Sequence, residues 1–262
     1  MKLAFLLATI ALALTLEAQA QPLGSLAQIA VIDRETGVAL SPHYYRGEYW
    51  VAGRPGAKYS IEIHNRLGER LLAVTSVDGV NILSGETAAW DQAGYVFEPF
   101  ERYQVTGWRK SDAEVAAFTF TESPNSYAER TGRPANVGVI GIALYRERRP
   151  QAWTQPRLSE ERPTNPSDAS GTPVAPAPLA AAPRAELAPK LGTGHGEREY
   201  SYVNHTEFAR LQPQPNEVIR IRYDSLDNLL AMGVIRRERP LPPVANPFPA
   251  TPTPGYVPDP PG

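Results

Sequence analysis

The stretch Tyr59–Gly85, YSIEIHNRLGERLLAVTSVDGVNILSG, decides the fold class. Tyr59, Ile61 and Ile63 alternate with Ser60, Glu62 and His64, which is the period-two pattern of a half-buried strand. Asn65–Arg70 (NRLGER) has the composition of a turn, with Gly68 free to take positive φ. Leu71–Val77 (LLAVTSV) reads as a return strand, making a hairpin, and its apolar residues on both faces place it centrally in a sheet. Asp78-Gly79 is a two-residue reversal signal, and Val80–Leu83 a further short strand.

Working outward, Ala27–Ile32 has strand character before the turn Asp33–Gly37. Gly94–Phe97 and Tyr103–Thr106 read as a pair joined across Pro99. Glu114–Thr121 and Asn136–Arg146 are strong strands, the second with Gly138 and Gly141 for close packing or a bulge. Ser126–Arg130 fits one helical turn in the loop between them. Short strands at regular spacing, with no competing helical period, predict a mainly β fold, an antiparallel β-sandwich over residues 21–149.

The flanks differ in composition. Residues 1–20 combine Lys2, the apolar run Leu3–Leu16 and the exit Ala18-Gln19-Ala20, the pattern of a secretory signal peptide cleaved after Ala20. The run is shorter than the roughly 20 residues of a membrane span, so no transmembrane segment is expected after cleavage, and the location is periplasmic or secreted. The chain has no Cys, so neither disulfides nor thiolate metal sites are available, and a buried core must stabilise it. A net charge of −2 supplies no general attraction to nucleic acid. The 27 prolines concentrate late in the chain. Residues 150–190 read as a disordered Pro/Ala-rich linker and 240–262 as a disordered Pro-rich tail. Between them, 191–239 is expected to be a small α/β appendage that either docks on the sandwich or meets another chain. It contains a possible helical segment at Thr206–Leu211, the alternating strand Glu217–Tyr223, and a helix Leu226–Met232 capped by Asp224-Ser225 and stopped by Gly233.

Five segments carry a resemblance. LLAVTSVDGVNILSG (71–85), GYVFEPFERYQVTGWRKS (94–111), SYAERTGRPANVGVIGIALY (126–145) and LGTGHGEREYSYVNHTEFAR (191–210) with EVIRIRYDSLDNLLAMGVI (217–235) resemble a group of exported proteobacterial proteins of unknown function. The resemblance implies a Gram-negative, exported setting and transfers no catalytic residue.

Candidate chemistry is sparse. There is no G-x-S-x-G, and the nearest hydrolytic set is His64, Ser76 and Asp78. His43, His64, His195 and His205 lack metal-ligand spacing. Asp78-Gly79-x-Asn81 offers oxygen ligands for calcium, but a β-turn explains it without a metal. Gly192-x-Gly194-x-Gly196 departs from the dinucleotide spacing and reads as a mobile connector. No cofactor or metal is expected. Tyr44, Tyr45, Tyr49 and Trp50 either line a binding face or cap an end of the core. The preferred candidate is a basic rim of two loops, Trp108, Arg109 and Lys110 with Tyr127, Arg130 and Arg133, suited to an anionic glycan, a carboxylate or a partner protein. These observations favour a non-catalytic exported binding or scaffold protein of the bacterial envelope, with an envelope protein or glycan as partner. The alternatives are a glycan hydrolase using two of Glu62, Asp78, Glu86 and Asp91, and a self-assembling structural protein.

Overall fold

A computed structural model describes residues 23–148 and 189–236. The signal peptide expected at 1–20, nearly all of the expected linker and the whole expected tail lie outside the described residues, as do 237–239. The fold is mainly β, two sheets with a small C-terminal helix. One sheet holds β1 (Ala27–Asp33), β4 (Lys58–Asn65), β8 (Arg102–Val105), β9 (Gly107–Arg109), β10 (Glu114–Glu122) and β12 (Leu191–Tyr200). The other holds β2 (His43–Tyr45), β3 (Glu48–Gly53), β5 (Leu71–Val77), β6 (Val80–Asn81), β7 (Tyr95–Phe97), β11 (Val139–Arg146) and β13 (Glu217–Ser225). Tyr59, Ile61, Ile63, Leu71, Val77, Phe118, Phe120, Ile140, Ile142, Ile221 and Tyr223 meet between the sheets in one buried cluster.

The hairpin expected at Tyr59–Val77 does not form. β4 pairs with β1, β8 and β10, whereas β5 pairs with β11, β6 and β7 in the opposite sheet. The pair expected across Pro99 is divided the same way, β7 going to β5 and β8 to β4. Each six-residue or shorter turn is thus an arch over one end of the sandwich. Asn65 ties the two arches together. Its buried side-chain amide donates to Glu69 O at 2.9 Å and Glu98 O at 2.8 Å, and its Oδ1 accepts from Leu67 N at 2.9 Å. A turn with its own polar bracket has no need of a ladder between its flanking strands, and both strands are free to bury their apolar faces against each other. Replacing Asn65 by Ala would orphan those carbonyls and the Leu67 N–H inside the arch. We expect a loss of ~3 kcal/mol of stability in urea denaturation; an unchanged midpoint would show that water satisfies these groups.

Asp78-Gly79 does make the tight reversal. Ser76 and Val77 pair with Asn81 and Val80, and both central residues have positive φ, 54° and 75°. The expected strand Val80–Leu83 shortens to β6.

Residues 189–236 belong to both sheets. β12 lines the edge of the first along β10, and β13 lies inside the second, parallel to β3 and antiparallel to β11. Ile219, Ile221 and Tyr223 of β13 face the core, and Arg220 and Arg222 face away. Helix α2 (Leu226–Ala231) follows, with Ser225 Oγ accepting from Asn228 N at 3.3 Å and Gly233 leaving at φ 72°. Thr206–Leu211 is not helical. It crosses the outer face of the second sheet, where Phe208 packs on Leu72, Val74, Ala143 and Tyr145.

A buried polar chain fastens this segment. Asp78, fully buried, accepts from Gly138 N and Thr193 N, each at 2.8 Å, and from the Tyr223 hydroxyl. Since a carboxylate only accepts, Tyr223 spends its proton there. Thr193 then donates to Tyr223, and Tyr59 to Thr193, both at 2.6 Å. Burial, followed by the Asp78 charge, pushes both phenols well up and keeps them as donors.

Candidate functional site

The two loops expected to form a basic rim meet at one tyrosine. Helix α1 (Tyr127–Arg130) is a single turn capped by Ser126, whose Oγ accepts from Glu129 N at 3.2 Å. It sets the Tyr127 ring 4.9 Å from the ring of Trp108. Lys110 Nζ stands 5.6 Å and the Arg133 guanidinium carbon 6.0 Å from the Tyr127 centroid, both within cation–π range or at its limit. The His195 ring lies 6.0 Å away and nearly parallel. Lys110 and Arg130 are exposed. Arg133 is half-buried and held by Gly85 O at 2.9 Å and Thr131 Oγ1 at 2.9 Å.

Two of the six expected residues serve the fold instead. Trp108 is only 2% exposed. Its indole N–H donates to Gly194 O at 3.1 Å, and its edge packs on Phe118, so it forms the floor below Tyr127. Arg109 turns away from the rim. It donates to the Tyr95 hydroxyl at 2.7 Å and 3.1 Å and to both Ser201 oxygens, clamping the chain after β12 to β7. The adjacent residues of a strand point to opposite sides, so Trp108 and Arg109 were bound to part company.

His195 and Arg198 join the cluster without having been expected there. Simple alternation sets them on opposite faces of β12. The register shows otherwise: Phe118 faces His195 and Ala116 faces Arg198, two steps on β10 against three on β12. This bulge brings both side chains to one face. The glycines around them reflect packing. A Cβ on Gly192 would lie 2.7 Å from Ser126 Cβ, and one on Gly196 2.8 Å from Ala117 O. The G-x-G-x-G run is therefore a strand pressed against α1 and β10, and the expected mobile connector is corrected.

The electrostatics are lopsided. Among the described residues Lys110, Arg130 and Arg133 make no ion pair, while Arg198 meets Glu114 at 3.0 Å. Burial pulls the His195 pKa down, and the charges of Lys110, Arg198 and Arg130 pull it further. Lys110 is lowered by burial and then by Arg198. Like charges gathered at one ring disfavour further protonation, an arrangement that an anion would relieve.

Other candidates are dispersed. His64 sits in the first sheet beside Arg102, Ser76 on the second sheet bonded to Gly141 O, and Asp78 in the core, so they form no triad. Asp78 is likewise out of reach for glycan hydrolysis, and Glu62 is engaged by Arg102 and Gln104 on the first sheet. Asn81 Oδ1 accepts from Leu83 N and Ser84 N, turned away from the Asp78 network, which removes the calcium arrangement. Among the described residues no group of three or more His, Asp or Glu is placed to hold a metal ion, and no helix is long and apolar enough to cross a membrane. Of the early aromatics, Tyr44 is 68% exposed and packs on Tyr49, but Tyr45 donates to Met232 O and Trp50 lies under Arg222.

Comparison with protein-family models, with curated proteins and with solved structures finds no match to this chain.

Proposed function

We propose that this chain is a non-catalytic binding protein of the bacterial envelope, exported by its N-terminal segment, that holds an anionic glycan at the Tyr127 cluster. One observation carries the reading: Lys110 and Arg133, without ion-pair partners among the described residues, converge with His195 on a single tyrosine, and the Arg130 charge also acts on His195. An anion placed there gains charge-assisted hydrogen bonds and removes mutual repulsion. Tyr127 supplies a flat apolar surface for the ligand's ring, and Trp108 keeps that surface rigid. The export pattern of residues 1–20 and the resemblance to exported proteins support the setting.

His195 is the internal reporter. Its pKa is held low by burial and by neighbouring cations, so it is neutral near pH 7 and adds a positive charge on acidification. Affinity for an anion therefore rises as pH falls through that value. Titrating the histidines by NMR with and without a sulfated tetrasaccharide is expected to raise the His195 pKa. Lys110→Gln with Arg133→Gln is expected to weaken binding at least tenfold, and binding is expected to fall between 0.05 and 0.5 M salt, roughly as the Debye length contracts. A His195 titration indifferent to saturating ligand overturns the assignment.

A further inference from the structure

A second site lies on the outer face of the second sheet, in a groove of about 370 Å³ between the loop Thr87–Trp90 and β13. Its size falls in the range of small-molecule clefts, about 300–1,000 Å³. Gly141 keeps the floor of the groove low. Arg220, Gly141 and Ser76 stand in a row across β13, β11 and β5. A Cβ at Gly141 would come within 2.8 Å of Ser76 Oγ, so only glycine leaves the floor low between its neighbours.

The wall opposite β13 is a tryptophan presented to solvent. Trp90 is 58% exposed, yet its backbone is firmly held. Its carbonyl accepts from the Tyr145 hydroxyl at 2.8 Å and from Arg210 at 2.8 Å. The loop is braced by Gln92, whose side chain accepts from Ala89 N at 2.8 Å and Asn81 Nδ2 at 3.1 Å and donates to Thr87 O at 3.0 Å. A large indole kept in water on a rigid loop contributes nothing to the core. It offers a preorganised stacking face, the costly part of recognition having been settled on folding.

The polar groups around it define the ligand. The Arg220 side chain is exposed and its guanidinium makes no ion pair or hydrogen bond among the described residues, although Arg222 beside it is matched with Glu48 at 2.6 Å. Thr87 and Asn136 also border the groove, and their side chains make no hydrogen bonds among the described residues. We infer that this groove binds a sugar ring bearing one carboxylate. The apolar face of a pyranose covers Trp90, its hydroxyls reach Thr87 and Asn136, and its carboxylate pairs with Arg220 as a two-pronged acceptor for the guanidinium. A proline-rich peptide would also stack on Trp90, but one tryptophan bordered by polar groups lacks the row of aromatics that such a peptide needs. This site is independent of the Tyr127 cluster.

The test follows the Trp90 indole N–H by NMR in the full chain during titration with a uronic-acid trisaccharide, its uncharged hexose counterpart, and a peptide of the sequence 240–262. The uronate is expected to shift the Trp90 signal saturably and the neutral sugar more weakly. Trp90→Ala should weaken uronate binding at least tenfold by calorimetry. Arg220→Gln should abolish the preference for uronate while sparing the neutral sugar. Both side chains are exposed, so an unchanged thermal transition certifies the variants as folded, and His195 reports separately on the other site. No saturable shift with either sugar, a preference that survives Arg220→Gln, or a response to the peptide in place of the sugars overturns the inference.

Discussion

A chain ending at Arg148 is expected to lose cooperative unfolding altogether. The deletion removes β13 from between β3 and β11, and among the described residues β3 has no other neighbour in its sheet except β2. The β2–β3 pair would therefore come away from the remaining strands. Four core side chains go with the segment, Leu191, Ile219, Ile221 and Tyr223. At about 1.5–3 kcal/mol for each fully buried side chain, their loss amounts to roughly 6–12 kcal/mol. That is the size of a whole domain's stability, about 5–15 kcal/mol. The Asp78 carboxylate would also lose the Thr193 N–H and the Tyr223 hydroxyl and be left in a partly apolar core. Circular dichroism of the shortened chain should show no sharp thermal transition, and adding a peptide spanning 187–236 should restore one. A shortened chain melting cooperatively near the full chain's Tm would mean that the last strands are an ornament.

Asp78→Ala is expected to cost ~5 kcal/mol, the largest effect of any single substitution in the hairpin. It orphans two buried backbone N–H groups and a phenol, each at about 1–3 kcal/mol. It also places Ala at φ 54°, where Asp is better tolerated. Asp78→Asn keeps the turn and isolates the charge. Burial pushes the Asp78 carboxyl up, and the donations from Tyr223, Thr193 and Gly138 pull it back only in part. The folded protein thus keeps this proton to higher pH than the unfolded chain. The corresponding stability is complete below the ordinary carboxylate value and declines as pH rises through the raised one. Asn does not titrate, so the stability gap between the native chain and Asp78→Asn should be wider in acid and narrower at neutral pH. Comparing the two chains cancels Glu199, which burial pushes up but Arg34 and Lys58 together hold low, and whose contribution is lost as pH falls. A gap that grows toward neutral pH would show that the donors prevail over burial.

The two proposed sites differ in how they arise. Tyr127, on α1, gathers Arg133 from the loop after α1, Lys110 from the β9–β10 turn and His195 from β12, segments that only the folded chain brings together. Lys110, Arg130 and Arg133 were legible as loop cations beside aromatics. His195 and Arg198 were not, because a bulge in β12 breaks the alternation by which a strand's faces are read. The groove at Trp90 left still less trace. Its floor is an absent side chain at Gly141, and an absence acquires meaning only from the neighbours that flank it.

Local chemistry alone determined the mainly β character, the extent of most strands, the Asp78-Gly79 reversal, the one-turn helix at Tyr127 and the cap at Ser225. Each depends on residues within a few positions of one another, through side-chain period, permitted φ or a short hydrogen bond. Which strand lies beside which was decided only in three dimensions. A turn of NRLGER suits a hairpin or an arch equally well, and Asn65 selects the arch through the Glu98 carbonyl, 33 residues away. An alternating strand such as EVIRIRYDS shows which face it buries but not its place in a sheet. That place is set by the buried chain from Tyr59 through Thr193 and Tyr223 to Asp78, four residues separated by up to 164 positions, whose bonds exist only once the sandwich has closed around them.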